Sequence, residues 1–132
     1  MEYLEFGNFK LINMENKEFG KKLEQRTKAF AIKIIRLSTL LPNSVEGKII
    51  RNQMTKSGTS IGANYREAAR ARSRADFKNK IKICESESNE TCYWLEIVRE
   101  LEWSDPKKVE SELTESNELL AIFTSIGKNL KL

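Results

Sequence analysis

Positive charge is concentrated between residues 66 and 82, a segment with seven cationic side chains and only two carboxylates. Arg66 and Arg70 stand four residues apart, as do Lys78 and Lys82. On a helix, like charges at this spacing share a face and repel each other unless an anion neutralises them. Phosphate groups would do so, and such a patch would bind nucleic acid with strong salt dependence and little base preference. The candidate nucleic-acid-binding residues are Arg66, Arg70, Arg72, Arg74, Lys78 and Lys82.

A second interpretation of these cations stays open. Lys and Arg also solvate the ends of helical bundles, and they form ion pairs with carboxylates in the same chain or across a subunit interface. The carboxylates considered for this role lie near the carboxyl end, at Glu110, Glu112, Glu115 and Glu118.

The residues that usually perform catalysis are scarce. The chain has no histidine, which removes the commonest general base and the commonest zinc ligand. Cys84 and Cys92 lie eight residues apart in a helical pattern, about 12 Å along the axis and too far for a disulfide, so we expect free thiols in a reducing cytoplasm. Most glutamates lie off the apolar stripes, which leaves a site of carboxylates alone as the remaining metal alternative. We expect no enzyme activity and no cofactor.

Length and composition favour one all-α domain. The chain has 132 residues, of which 39% are hydrophobic and 32% charged, with only two prolines. Its net charge is +4, which favours an anionic partner only where cations cluster. The sequence has no signal-peptide pattern and no long apolar run, so we expect no membrane partner and a cytoplasmic location.

Four amphipathic segments position these residues. Short connections between them predict an antiparallel up-down-up-down four-helix bundle. Phe19 opens the apolar stripe of the first segment, whereas the first dozen residues show no sustained period. Ser73 predicts a helix start after a turn near residues 70 to 74, with one very long helix as the alternative. The predicted helices span about 15–41, 44–70, 74–103 and 106–130.

The second predicted helix is unusually small-sided along "KSGTSIGAN". Each glycine inside a helix costs about 1 kcal/mol against alanine, so a close crossing with another helix is expected to offset it. We predict that this crossing is with the third helix, and that Asn64 finds a polar partner there in Ser88, Glu90 or Thr91. A ligand site at Asn64 is the alternative, and a phosphate-binding loop lacks the required spacing. The predicted packing motif is Ser57, Ser60, Ile61, Gly62, Asn64 and Ser88.

The stretches "QMTKSGTSIGANYREAARARSRADF" and "KIKICESESNETCYWLEIV" resemble the four-helix-bundle family encoded in intervening sequences of bacterial 23S rRNA genes. The likeness runs from about Phe30 to Leu130, and "SIGAN" with the following Glu67 is its most specific part. Where the family commonly has a glycine soon after this glutamate, the chain has "EAARAR", which puts the next turn in question.

The resemblance implies a homopentamer without catalytic residues. Related accessory proteins of diversity-generating retroelements associate with a reverse transcriptase and nucleic acid, so RNA, DNA and a reverse transcriptase are the candidate partners besides the chain itself. Apolar residues left over from the helix seams independently predict an interface between subunits. They are Ile32, Ile35, Leu40, Trp94, Ile97, Ile122 and Ile126.

Overall fold

Four helices make up most of the protein in a computed structural model that describes residues 17–130. The predicted all-α bundle is confirmed. The predicted start of the first helix near Glu15 and the predictions for the first dozen residues lie outside the described part. The helices are α1 (Lys17–Ser38), α2 (Val45–Ala69), α3 (Arg74–Glu100) and α4 (Pro106–Asn129).

Each helix start after α1 is fixed by a capping side chain. The hydroxyl of Ser44 accepts a hydrogen bond from the backbone N–H of Gly47 at 3.0 Å. Ser73 likewise accepts from Asp76, also at 3.0 Å, which confirms the predicted start of α3. Asp105 caps α4 with Pro106 as the first helical residue. These caps satisfy N–H groups that have no partner within the helix.

Residues 70–73 form a turn that separates α2 from α3, so the alternative of one continuous helix is wrong. The backbone N–H groups of Arg70 and Ala71 turn back to the carbonyls of Glu67 and Ala68, each at 3.0 Å. Three-residue hydrogen bonds of this kind tighten the end of a helix.

Two helices end three residues earlier than predicted. The Arg51 side chain terminates α1 by donating to the carbonyls of Ser38 and Leu41 at 3.1 and 3.0 Å. After α3, Glu102 adopts a left-handed conformation with φ 56, and the N–H of Trp103 donates to Val98 O at 3.2 Å. This is a Schellman ending, which usually has glycine at the left-handed position.

Neighbouring helices in the chain pack side by side around a core that includes Phe30, Ile61, Leu95 and Phe123. The contacts run in opposite order along successive helices, so consecutive helices are antiparallel. α1 touches α4 far less than the other neighbours touch each other. Phe19, predicted on the buried stripe, is 48% exposed. Contacts that set the order are Thr27–Gly62 and Ile34–Gly58, Ser57–Thr91 and Ile61–Cys84, and Glu85–Thr124 and Arg99–Glu110.

Within residues 17–130, no helix combines the length and the apolar character needed to cross a bilayer.

Candidate nucleic-acid interface

The turn between α2 and α3 places the predicted cations at one end of the bundle, which we call the basic end. It comprises Arg66 in the last turn of α2, Arg70 and Arg72 in the connection, and Arg74, Lys78 and Lys82 at the start of α3. Asp76, in the first turn of α3, accepts a hydrogen bond from the backbone N–H of Arg72 at 3.3 Å.

The basic end is not one flat patch. Arg66 Nε lies 3.0 Å from a carboxylate oxygen of Glu24 on α1, which places it on the α1 side of α2. Lys78 and Lys82 share a flank of α3 with Glu85, whose carboxylate accepts from Thr124 of α4 at 3.0 Å. The cations therefore wrap around the end of the bundle, with Arg66 on one side and the lysines on the other.

Four of these six side chains have no ion-pair partner within residues 17–130. Arg70, Arg72 and Lys82 are exposed and Lys78 is half-buried, and none lies within 4.0 Å of a carboxylate among residues 17–130. Arg74 is half-buried at the first position of α3. An anionic partner that approaches this end would meet Arg70, Arg72, Lys78 and Lys82, which no carboxylate of residues 17–130 neutralises.

Glu110, Glu115 and Glu118 of α4 pair elsewhere, so the predicted ion pairs between these three and the basic end within the chain are wrong. Arg26 of α1 makes a two-point contact with Glu115, with Nε and Nη2 at 2.6 and 2.8 Å from the carboxylate oxygens, and it also contacts Glu118. Arg99 lies 3.4 Å from Glu110. The physical reason is position, because the first half of α4 packs at the opposite end of α3 from the turn.

Glu112 differs from Glu110, Glu115 and Glu118 because part of its carboxylate is buried. One of its carboxylate oxygens is buried and has no hydrogen-bond partner within residues 17–130. Burial raises the pKa of Glu112, while the charge of Lys33 on α1 lowers it. A groove between α1 and α4 is lined by Arg26, Ala29, Phe30, Lys33, Ser111, Thr114 and Glu115.

The small residues of α2 do mark a close approach, but the glycines face α1 and not α3. A Cβ on Gly58 would lie 2.8 Å from Ile34 Cγ2, and one on Gly62 would lie 3.2 Å from Thr27 Oγ1. The α3 side of α2 is formed by their neighbours. Ser57 accepts a hydrogen bond from Thr91 at 2.9 Å, and the thiol of Cys84 donates to the carbonyl of Ile61 at 3.5 Å.

The predicted partners of Asn64 are also wrong. Its side-chain amide donates to the Ser60 carbonyl one turn earlier at 2.8 Å, because the half-buried side chain folds back on its own helix. Ser60 in turn donates to the Lys56 carbonyl. Ser88 is buried, but its carbonyl accepts from Ser116 of α4 at 3.3 Å. The polar pair that links α2 and α3 is Ser57 with Thr91.

The cysteines are free and buried, as predicted. Burial raises the pKa of Cys84 to about 12 and raises that of Cys92, whose thiol contacts Ser116 Oγ at 3.1 Å. A thiol nucleophile requires a lowered pKa and access, so these groups behave as small core side chains. In the part of the chain that the structure describes, no group of three or more His, Cys, Asp or Glu could hold a metal ion.

Comparison with known proteins agrees with the resemblance in the sequence. The sequence profile of the 23S rRNA-intervening sequence protein family matches residues 20–125. A crystal structure from Bacteroides thetaiotaomicron VPI-5482, of a protein of unknown function from the S23 ribosomal protein family, is similar with a TM-score of 0.73. It is 41% identical over 80% of this chain and 97% of that chain. No curated protein matches the sequence. The chain belongs to the 23S rRNA-intervening sequence protein family.

Proposed function

We propose that the chain is a non-catalytic, homo-oligomeric four-helix bundle that contacts RNA or DNA through the basic end. In this role it serves as an accessory of a ribonucleoprotein or of a reverse transcriptase. The observation that carries the proposal is the lack of ion-pair partners for Arg70, Arg72, Lys78 and Lys82 among residues 17–130. Glu110, Glu115 and Glu118 of α4 are paired elsewhere.

The outer surface of the first helical hairpin supports the proposed self-association. Ile32, Ile35 and Leu40 of the predicted interface are exposed, and Val45 and Ile49 at the start of α2 extend the apolar surface. Trp94, Ile122 and Ile126 are half-buried against the core and contribute less. Exposed apolar surface of this kind commonly marks an interface. A pentamer is the assembly that the family resemblance implies, and it would repeat a modest basic end around an axis and so multiply weak phosphate contacts.

Fluorescence anisotropy with a generic single-stranded RNA and a DNA duplex tests nucleic-acid binding. The affinity should fall steeply with rising salt, because each phosphate contact that is lost lowers the logarithmic salt slope by about 0.9 on a duplex. The variant Arg70→Gln, Arg72→Gln, Lys78→Gln, Lys82→Gln should bind at least about tenfold more weakly and with a shallower slope. Lys107→Gln with Lys108→Gln removes two exposed cations at the start of α4 and is the matched control for charge at the far end.

Binding that is undetectable at low salt, or equal in the four-residue variant and the wild type, would reject the nucleic-acid role. The alternative would then hold, a structural or protein-interaction bundle whose exposed apolar residues bind other subunits. Sedimentation velocity at micromolar concentration tests the assembly separately, and a monomer there would contradict the proposed homo-oligomer.

A further inference from the structure

The carboxyl-terminal half of α3 carries a second, partly exposed stripe beside the buried seam, and Trp94 on this stripe packs partly against the core. Glu90, Trp94, Ile97 and Leu101 follow a spacing of four, three and four residues and therefore share one face, and Tyr93 lies beside Trp94 on the edge of that face. Tyr93 is 55% exposed and the Leu101 side chain just after the helix is 50% exposed. None of these five residues belongs to the buried seam, which runs through Cys84, Ser88, Thr91, Leu95 and Val98. We call the five residues the aromatic face.

The two aromatic rings on this face are held in a fixed arrangement. Tyr93 and Trp94 meet edge to face with their centroids 5.0 Å apart. The indole N–H of Trp94 donates to the Glu90 carboxylate at 3.1 Å. Glu90 therefore orients the indole and adds a negative charge beside two aromatic rings. Aromatic rings next to a carboxylate form a favourable site for a planar cation.

Charge decides which partner fits the aromatic face. Residues 86–102, which carry the aromatic face, contain five carboxylates and one cation, the reverse of the balance at the basic end. A phosphate backbone would be repelled here, whereas a basic polypeptide would be attracted. Arginine suits the face better than lysine, because a guanidinium stacks on aromatic rings and binds a carboxylate through two parallel hydrogen bonds.

We propose that the aromatic face of α3 docks an arginine-containing basic segment of a partner protein. Tyr93 lies 20 residues beyond the turn at Ser73, about 30 Å along α3 at the helical rise. A basic protein segment and a nucleic acid can therefore be bound at the same time, at opposite ends of the bundle. The inference goes beyond the proposed nucleic-acid contact and does not depend on it.

The probe is a fluorescein-labelled nona-arginine peptide, compared with nona-lysine by anisotropy at low salt. We expect the arginine peptide to bind more tightly, and Tyr93→Ala and Trp94→Ala each to weaken it by about three- to tenfold with loss of the preference for arginine. Glu90→Gln should weaken both peptides. Glu18→Gln with Glu67→Gln removes exposed carboxylates far from the face and should change binding less than about twofold.

Helical circular dichroism shows which variants fold, and Tyr93→Ala and Glu90→Gln carry the test if Trp94→Ala does not. Equal affinity for the two peptides, or unchanged binding in Tyr93→Ala, would overturn the proposal. So would sedimentation in which Tyr93→Ala dissociates a wild-type oligomer, since the face would then be covered by a second copy. The variant Arg70→Gln, Arg72→Gln should retain peptide binding, which separates this outcome from a failure of the nucleic-acid proposal.

Discussion

The close approach of α1 and α2 makes a quantitative prediction about Gly58. A Cβ at this position would lie 2.8, 3.1 and 3.1 Å from Ile34 Cγ2, Cβ and Cγ1. Ile34 is fully buried, so its branched side chain cannot move aside without shifting α1. Gly58→Ala gains about 1 kcal/mol of helix propensity but loses about 1–3 kcal/mol through overpacking, for a net loss between about 0 and 2 kcal/mol.

Gly127→Ala is the matched control, since a Cβ there would meet only Ile81 Cγ2 at an ordinary 3.9 Å. It should stabilise the fold by up to about 1 kcal/mol, and less if the last turn of α4 frays. Urea unfolding followed by circular dichroism gives both free energies, and Gly58→Ala should lie about 1–3 kcal/mol below Gly127→Ala. In a double-mutant cycle, Ile34→Ala should cost less in the Gly58→Ala background than alone. If both alanines stabilise equally and Ile34 shows no coupling, the close approach is refuted.

Three further predictions concern the core and its edge. Gly62→Leu should cost more than Gly62→Ala, by about 1–3 kcal/mol, because a Cβ already lies 3.3 Å from the Thr27 backbone, and an unchanged melting curve would contradict this. Burial raises the pKa of Cys84 to about 12, so near pH 8 its thiolate fraction in the folded chain should be about a thousandfold below that of an ordinary thiol of pKa 9.0. Rapid alkylation of Cys84 without unfolding would contradict its burial. Glu112→Gln should be more stable than wild type at pH 7, and the difference should vanish towards pH 4. Burial raises the pKa of Glu112, so the ionised carboxylate destabilises the folded state above that pKa, and this penalty disappears as the group protonates. Thermal melts across this pH range measure the difference.

Local signals in the sequence were enough to place the helices. Ser73 and the pair Asp105–Pro106 start α3 and α4 where capping chemistry predicts. The early end of α3 was missed because Glu102, and not glycine, adopts the left-handed conformation of the Schellman ending. Similarly, the end of α1 depends on Arg51, which reaches its carbonyls from the next helix. Contacts made by a distant side chain leave no mark in the helical period.

The orientation of the glycines shows the same limit within one helix. Ile61 of the predicted packing motif is fully buried and lies on the buried seam of α2. Gly58 and Gly62 lie on one flank of that seam and Ser57 on the other, but periodicity alone does not say which neighbouring helix covers which flank. The glycines therefore predicted a close helix crossing correctly, but the crossing is with α1 and not with α3. The ion pair between Glu115 and Arg26 was not predicted for the same reason, because it depends on which helices are neighbours around the core.

The net charge of +4 conceals two surfaces of opposite sign. The basic end and the aromatic face are separated along α3 by about 30 Å, several times the Debye length of about 8 Å at physiological ionic strength. The proposed binding of nucleic acid at the basic end and of a basic protein segment at the aromatic face should therefore be almost independent of each other. A substitution that removes cations from the basic end should leave the aromatic face unaffected, and the reverse holds as well. Under the two proposals, the choice of partner follows from where the charges lie and not from their sum. The position of the turn between α2 and α3, which gathers the cations, then matters more than the overall composition.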